Sequence, residues 1–395
     1  MDTKKLSAWW FHRQGLDGRL RGESASSVLS KTGWARSVGG VGPYLTLFAR
    51  GSIARETADA AVASLEIHEL PAARGCTYVV PACDFPLALK AASAFGDGEL
   101  KVAYKLGVTD REIAQLCDAV LKALGKGPLD PDEIRQASGS ASRSLGEEGK
   151  KKGLTTTLPL ALGKLQVTGE IRRVPTNGRL DQQRYRYSLW KPNPLERFTM
   201  DAEEAAVELA RRYFQWIGPA TISEFQWFSA FGAKAAKAAL EPLKLELLVK
   251  DGPLLILPSD RAEFEGFKVS PKQAQYALVA SVDGVTLLKR NTKDLIDAEY
   301  LKNSLFRHKG YAGVGLADLP SHGIFDRGRL VGLWEYDIDT KSIAWASFIP
   351  KNKDLTNAVG EMQEYVTSQL GDARSFSLDS PKSRTPRLEA LRKAK

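Results

Sequence analysis

The stretch VELARRYFQWIGPATISEF, residues 207–225, carries the pattern on which the fold prediction depends. Its apolar residues recur at helical spacing, and they are Val207, Leu209, Ala210, Tyr213, Phe214 and Ile217. Gly218-Pro219 ends this helix, because proline cannot continue the helical hydrogen-bond ladder. A short second helix is predicted around Ser223–Phe225. The stretch therefore predicts two helices joined by a tight turn.

The residues that follow predict a third helix and a hairpin. The helix spans Ala233–Leu240, and strands at Leu243–Val249 and Leu254–Leu257 flank an Asp251-Gly252 turn, which is a favoured hairpin sequence. Three helices followed by a hairpin is the order of a winged helix, that is, a helix-turn-helix with a β-wing.

The same order occurs about ninety residues earlier, so the chain contains an internal repeat. A helical apolar face ends at Gly127-Pro128, and its residues are Ile113, Leu116, Cys117, Val120, Leu121 and Leu124. Pro131–Arg135 begins a second helix, and a third is predicted over Leu154–Lys164. Strands at Gln166–Val174 and Arg184–Trp190 then flank an Asn-Gly turn.

The first hundred residues fit the same plan, and a different pattern begins near Ser259. The early elements are predicted helices near Trp9–Leu16, Ser24–Lys31, Pro43–Ala49 and Thr57–Leu65, and strands near Glu66–Leu70 and Cys76–Val80. The later elements are strand candidates at Gln275–Val282, Val285–Arg290, Leu330–Tyr336 and Ser342–Phe348, then a helix near Asp354–Leu370 and a basic tail.

These patterns predict an α+β protein with three tandem winged-helix (helix-turn-helix) domains and a small C-terminal β domain. The expected boundaries are residues 1–105, 106–200 and 201–258 for the winged helices, 259–353 for the β domain, and 354–395 for a helix and tail. Winged helices bind duplex DNA by placing one helix in the major groove. They also serve as protein-interaction modules, and both functions remain open at this point.

Composition favours a folded, intracellular protein, since 43% of the 395 residues are hydrophobic and 26% are charged. The N-terminus has no apolar signal core, and no later segment is apolar enough to span a bilayer. The cysteines are Cys76, Cys83 and Cys117, without metal-ligand spacing. We expect a cytoplasmic, bacterial-type monomer without a metal or other cofactor.

The formal charge of +9 favours a polyanionic partner, but its placement matters more than its size. Residues 381–395 supply +5 of it, which leaves +4 for the body. This segment is terminal, highly charged and interrupted by proline. We therefore expect its deletion to weaken DNA binding and leave folding intact.

The most prominent basic segment in the body is the predicted second wing. Its cations surround the Asn-Gly turn and are Arg172, Arg173, Arg179, Arg184 and Arg186. They could reach phosphates, or they could keep an edge strand soluble. Tyr185, Tyr187 and Leu189 alternate with the last arginines and are predicted to face the core. Lys150, Lys151 and Lys152, between glycines, form either a flexible phosphate clamp or a solvated loop.

Sequence motifs of several enzyme classes are absent: there is no Gly-rich phosphate loop, no His-Glu-x-x-His, no Gly-x-Ser-x-Gly and no Cys-x-x-Cys. Short phrases in a fixed order nevertheless resemble the AlkZ-like winged-helix DNA glycosylases. The matching phrases are Arg13–Leu16, Tyr44–Arg50, Arg74–Pro81, Glu208–Tyr213 with Gly218–Thr221, and Arg329–Trp334.

This resemblance implies a curved body whose basic concave face holds double-stranded DNA, and an activity that excises alkylated bases or unhooks crosslinks. It adds candidate DNA contacts within the matching phrases and beside them, namely Arg13, Gln14, Arg36, Ser37, Arg50, Arg74 and Tyr78. The family's catalytic signature, Gln-x-Gln or Gln-x-Asp, would fall at Arg36-Ser37-Val38 or in the glycine-rich stretch beside it, and it is missing. No Gln, Asn, Asp or Glu occurs between Thr32 and Arg55.

Tyr78 is a second departure, because relatives often carry histidine there. The leading hypothesis is a DNA-repair glycosylase family member that recognises or slowly excises N7-alkylpurines or crosslinked bases. The alternatives are a non-catalytic DNA binder, for lesion recognition or transcription regulation, and an interaction scaffold. Cleavage of the glycosidic bond needs a group that stabilises a cationic sugar and orients water. We therefore expect no excision of uracil or hypoxanthine, and a gain of activity when Arg36 and Val38 are both replaced by glutamine.

Overall fold

A computed structural model describes residues 2–93, 95, 97–181, 184–269, 273–289, 292–302, 304–306, 319, 321–373 and 380–394. Helices and antiparallel strands are mixed along the chain, which confirms the α+β class. In the described part of the chain, no helix is long and apolar enough to cross a membrane.

The N-terminal region contains six helices and a three-stranded sheet. The helices are α1 (Thr3–Arg13), α2 (Ala25–Thr32), α3 (Gly42–Gly51), α4 (Arg55–Ala63), α5 (Phe85–Ser93) and α6 (Asp97–Lys105), and the strands are β1 (Ala35–Arg36), β2 (Ile67–Pro71) and β3 (Thr77–Pro81). The sheet order is β1-β3-β2, and all pairs are antiparallel. The four predicted helices and two predicted strands are confirmed. Strand β1 was not predicted, because two residues are too short to show alternation.

The second region has its own hydrophobic core, formed by residues between Ala103 and Tyr187. Its elements are α7 (Asp110–Leu124), α8 (Pro131–Ser138), α9 (Gly146–Lys151), α10 (Leu158–Val167), β4 (Ile171–Pro175) and β5 (Tyr185–Leu189). The hairpin β4–β5 is confirmed, although Gln166 and Val167 form the end of helix α10 rather than the start of a strand. The expectation of a flexible lysine loop is wrong: Lys150 and Lys151 lie on α9 and pair with acids one turn earlier.

The third region repeats the helix, helix, helix, hairpin order. Its elements are α11 (Ala202–Ile217), α12 (Ile222–Ser229), α13 (Ala233–Leu240), β6 (Glu246–Leu247) and β7 (Leu255–Ile256). Capping boxes at Asp201 and Thr221 fix the starts of α11 and α12, because each cap satisfies otherwise unpaired helical N–H groups. The hairpin is shorter than predicted.

The C-terminal region contains a four-stranded antiparallel sheet in the order β11-β10-β9-β8. Its elements are α14 (Pro258–Gly266), β8 (Tyr276–Val279), α15 (Gly284–Leu287), β9 (His322–Asp326), β10 (Arg329–Asp337), β11 (Ser342–Ser347), α16 (Lys353–Tyr365), which continues as a π-helical turn to Leu370, and α17 (Pro381–Lys393). The predicted strand Val285–Arg290 is wrong over its described residues, since Asp283 caps a helix there by accepting from the Val285 N–H. Arg290 lies outside the described residues.

The prediction that the basic tail is a free segment is also wrong. Residues from Pro381 to Lys393 form helix α17, which packs on β10 and β11 through Leu388 and Leu391. Arg384 is 1% exposed, because it is turned into the protein. Lys395 lies outside the described residues.

Two hydrophobic clusters cross the predicted domain boundaries. One runs from Leu6 to Leu391 and includes residues of the first, third and C-terminal regions. The other joins the first region to the C-terminal sheet and α16. The number of winged-helix domains and their boundaries therefore stay predictions, and the second region is the one with a separate core.

Candidate nucleic-acid interface

The position of the missing signature lies on strand β1 and directly after it. Arg36 stands opposite Tyr78 of β3, and its guanidinium lies 5.3 Å from the centre of the Tyr78 ring. Its Nη1 donates to the Thr77 carbonyl at 2.7 Å. A cation held against a neighbouring strand thus lies at the position where the sequence analysis expected the signature.

A second cation–aromatic pair lies beside the first. Arg74 has a left-handed backbone (φ 61°), and its guanidinium is 4.1 Å from the centre of the Trp227 ring on α12. Burial raises the pKa of Tyr78 to about 12, although Arg36 and Arg74 oppose the rise. The Tyr78 hydroxyl therefore stays protonated at neutral pH, and it cannot act as a base as a histidine could.

A carboxylate that the sequence did not reveal lies next to the signature position. Glu69 of β2 is 4% exposed, and its carboxylate accepts hydrogen bonds from the hydroxyls of Ser37 and Tyr185. Burial raises the pKa of Glu69, while Arg173 and Arg36 act in the opposite direction. The acidic group beside Ser37 thus comes from a different strand.

The alternation of strand residues separates these groups. Because side chains alternate along a strand, Ser37 and Glu69 lie on one side of the sheet and Arg36 on the other. No spacing in the sequence could have identified Glu69, since its neighbour Ser37 is 32 residues away. The pairing of β1 with β3, and of β3 with β2, brings the two together.

Gln14 and Arg50, two of the expected DNA contacts, are buried and hydrogen-bonded inside the protein. Arg50 is 1% exposed and donates to both carboxylate oxygens of Asp283, at 2.8 and 2.7 Å. Gln14 is 0% exposed, accepts from Arg50 at 2.8 Å, and donates to the carbonyls of Thr32 and Trp216. Neither side chain has surface with which to reach a phosphate, and together they join α1, α3 and the start of α15.

Arg13 has a similar role. It donates to the Gln215 carbonyl through Nε at 2.8 Å and to Asp260 through Nη2 at 3.0 Å. Burial lowers its pKa, with Asp260 and Glu263 opposing. Arg13 therefore joins α1 to α11 and α14.

The hairpin β4–β5 presents part of its arginine set outward. Arg184 and Arg186 are exposed, and Arg172 has no hydrogen-bond or ion-pair partner within the described ranges; burial lowers its pKa. Arg173 lies over the Tyr185 ring at 5.2 Å. Arg179 is instead bound by Asp181 and Asp372. The hairpin thus offers Arg172, Arg184 and Arg186.

The lysine segment offers less charge than its sequence suggests. Lys150, Lys151 and Lys152 are all exposed. Glu147 lies 3.8 Å from the Lys150 ammonium, and Glu148 lies 2.8 Å from that of Lys151. Two acids therefore balance two of the three lysines.

A buried histidine lies where the hairpin meets strand β2. His68 is 1% exposed, and its ring centre lies 5.2 Å from that of Trp190 and 6.2 Å from that of Phe85. Neither ring nitrogen has a hydrogen-bond partner among the described residues. Burial, together with the charges of Arg172 and Arg173, lowers the pKa of His68 to about 3. His68 is neutral in the folded protein.

Comparison with known proteins identifies the class. Residues 41–346 match the family described as "DNA glycosylase AlkZ-like". The chain therefore belongs to the AlkZ-like DNA glycosylase family, a DNA-repair class that binds DNA.

The structure is similar to that of Streptomyces sahachiroi DNA glycosylase AlkZ. The TM-score is 0.69 at 20% sequence identity, over 93% of this chain and 96% of that one. At this identity the likeness establishes the shared fold. A comparison with curated proteins found no match.

Proposed function

We propose that this chain binds duplex DNA as a monomer in a bacterial-type cytoplasm and slowly releases cationic N7-alkylpurines from it. The proposal extends to crosslinks made through the same purine nitrogen, and it excludes excision of uracil and hypoxanthine. Family membership supports the DNA partner and the reaction class. The arrangement around Arg36 and Ser37 supports the narrow choice of substrate.

The proposal rests mainly on the pair of opposite charges around the proposed signature position. Arg36 lies on the face that the two signature side chains would occupy, and Glu69 lies behind Ser37. A sugar that loses its base becomes an oxocarbenium-like cation. The Arg36 cation destabilises that state and the Glu69 carboxylate stabilises it, so the net acceleration is small.

A cationic base leaves the sugar with less catalytic assistance than a neutral base. When the bond between the sugar and an N7-alkylated purine breaks, its electron pair neutralises the base, so no proton donor is required. A neutral base leaves as an anion unless an acid protonates it. Tyr78, with its raised pKa, is a poor acid for that step.

The test is to incubate the purified protein with duplexes that contain N7-methylguanine, uracil or hypoxanthine, and to score abasic sites. We expect slow release of N7-methylguanine alone. Glu69→Gln should reduce it, while Glu66→Gln, at an exposed carboxylate three residues away, should not. Arg36→Gln with Val38→Gln should raise it. Rapid turnover of a neutral base by the unmodified protein would overturn the proposal.

A non-catalytic lesion binder is the second candidate, and the burial of Glu69 favours it. A carboxylate that is 4% exposed and bound by two hydroxyls has little access to a sugar. This candidate predicts tighter binding to N7-methylguanine duplex than to normal duplex, with no abasic product above the protein-free rate.

A further inference from the structure

A cavity of about 790 Å³ lies between helix α1, the start of α12 and the segment after α15. Its floor is largely apolar and aromatic, with Trp10 and Trp227 among the lining residues. Its charged lining residues include Glu224, Lys289, Lys293 and Arg329. Neither the family signature nor the proposed base release uses any of these groups.

The buried amine of Lys289 is the unusual feature of this cavity. The residue is 1% exposed, and its Nζ lies 2.9 Å from each carboxylate oxygen of Glu224. The same Nζ lies 3.9 Å from the centre of the Trp10 ring. Burial lowers the pKa of Lys289, with Glu224 opposing. A desolvated lysine is the kind that serves as a nucleophile towards carbonyl groups.

Glu224 is fixed independently of Lys289. Its Oε2 accepts from the Thr221 backbone N–H at 2.7 Å and from the Thr221 hydroxyl at 3.0 Å, which forms the capping box of α12. The carboxylate therefore stays in place when the amine changes its charge. A fixed carboxylate within hydrogen-bond distance of an amine can take its proton and return it.

The cavity lies close to the face on which the cation–aromatic pairs lie. Lys293 is exposed at the cavity, Asp294 also lines it, and the half-buried Arg329 pairs with Asp297 at 2.5 Å. Trp227, which lines the cavity, is the ring on which Arg74 stacks at 4.1 Å. Arg74 and Arg36 both act on the Tyr78 hydroxyl. The cavity thus adjoins the cation–aromatic face described above.

We propose that Lys289 forms an imine with the ring-opened aldehyde of an abasic deoxyribose in DNA. The inference rests on the proposed function, because an abasic site is the product of base release. Lys289 gives one proton to Glu224, and its nitrogen attacks the C1′ aldehyde carbon. The carbinolamine then loses water, so that one C–N double bond replaces the C–O double bond.

The imine makes a second step accessible. It withdraws electrons from C2′, so a C2′ proton can pass to a base while the C2′–C3′ double bond forms and the C3′–O bond breaks. The 3′ phosphate leaves with that electron pair, and hydrolysis of the imine returns the amine. No oxidant or reductant is consumed. The Lys289 site would therefore cleave the strand on the 3′ side of an abasic site.

The test uses the full chain and a duplex with a pre-formed abasic site, made by a separate uracil glycosylase. Sodium borohydride reduces an imine to a stable secondary amine, so we expect a covalent protein–DNA adduct on a denaturing gel. Peptide mass spectrometry of the wild-type adduct should locate it at Lys289. Lys289→Met should lower adduct yield at least tenfold, while Lys237→Met, at an exposed position on α13 outside the cavity lining, should keep it.

The outcomes separate this inference from the proposed function. Absence of an adduct, or an adduct at another lysine, overturns the Lys289 assignment even if N7-methylguanine is released. An adduct at Lys289 without any N7-methylguanine release supports the assignment and contradicts the proposed excision. Mapping on the wild-type chain keeps the test valid if Lys289→Met fails to fold.

Discussion

The hairpin β4–β5 and the helix α17 look alike in sequence, since each concentrates arginines in a short segment, yet they use them in opposite ways. In α17, Arg384 is buried, Arg387 pairs with Glu335 at 2.6 Å, and Arg392 pairs with Asp337. In the hairpin, Arg184 and Arg186 stay exposed. The arginines of α17 are bound within the protein, whereas those of the hairpin stay at its surface.

The acidic residues that face α17 and the hairpin explain why the two segments use their arginines differently. Glu335 and Asp337 are 1% and 4% exposed on β10, and a buried carboxylate without a partner is strongly unfavourable. The α17 arginines satisfy these two acids. The hairpin meets Glu133 at the exposed Arg186, and such surface pairs contribute little. Positive charge in a sequence therefore becomes available to DNA when no buried acid binds it.

Removal of residues 380–395 tests this contrast most strongly. We expect the free energy of unfolding to fall by about 5 kcal/mol or more, because Leu388 and Leu391 lose their burial and Glu335 loses its cation. Denaturant unfolding followed by circular dichroism measures it. The matched control, Lys382→Met with Lys393→Met at exposed positions, should change stability by less than about 0.5 kcal/mol. A truncated chain of unchanged stability would show that α17 is a free tail.

Acid pH should lower the stability of the protein, because His68 is buried beneath the hairpin β4–β5 without a hydrogen-bond partner in the residues that the structure describes. His68 has a folded pKa of about 3 against an ordinary value of 6.5, so between these values the unfolded state binds a proton that the folded state does not. Its contribution to stability is complete above pH 6.5 and is lost as the pH falls towards 3. Between pH 7 and pH 4.5 the wild type should lose about 2 to 3 kcal/mol more stability than His68→Leu. Equal losses in both proteins would mean that His68 is hydrated or paired.

Charge removal on the hairpin should give the smallest change in free energy and the clearest change in DNA binding. Arg172→Gln with Arg186→Gln should leave unfolding unchanged and weaken duplex binding. Each lost phosphate contact should reduce the slope of log affinity against log salt by about 0.9. Replacement of Lys150 and Lys151 by methionine should have a smaller effect, since Glu147 and Glu148 already balance them. If the arginine and lysine double substitutions weaken DNA binding equally, pairing with Glu147 and Glu148 does not make Lys150 and Lys151 less available to DNA.

Local patterns located most helices and failed at elements that depend on distant partners. The helix Ala233–Leu240 was predicted to the residue, because its periodicity and its flanking residues lie within the segment. The predicted strand after Asp283 is a helix, since Asp283 caps it and is itself held by Arg50. Strand β1, two residues long, exists because β3 lies beside it. Each failure involves a contact with a residue far away in the sequence.

The sequence by itself determined the order of helices and hairpins, the family resemblance and the absence of any amide or acidic residue between Thr32 and Arg55, because these depend on neighbours within a few residues. Only the tertiary structure decided which charged groups are free to act. Glu69 meets Ser37 because the sheet pairs their strands, Arg50 is removed from solvent by Asp283 of the C-terminal region, and Lys289 meets Glu224, which lies 65 positions earlier. These contacts join residues up to 233 positions apart, and the packing of apolar faces, rather than any local pattern, brings them together.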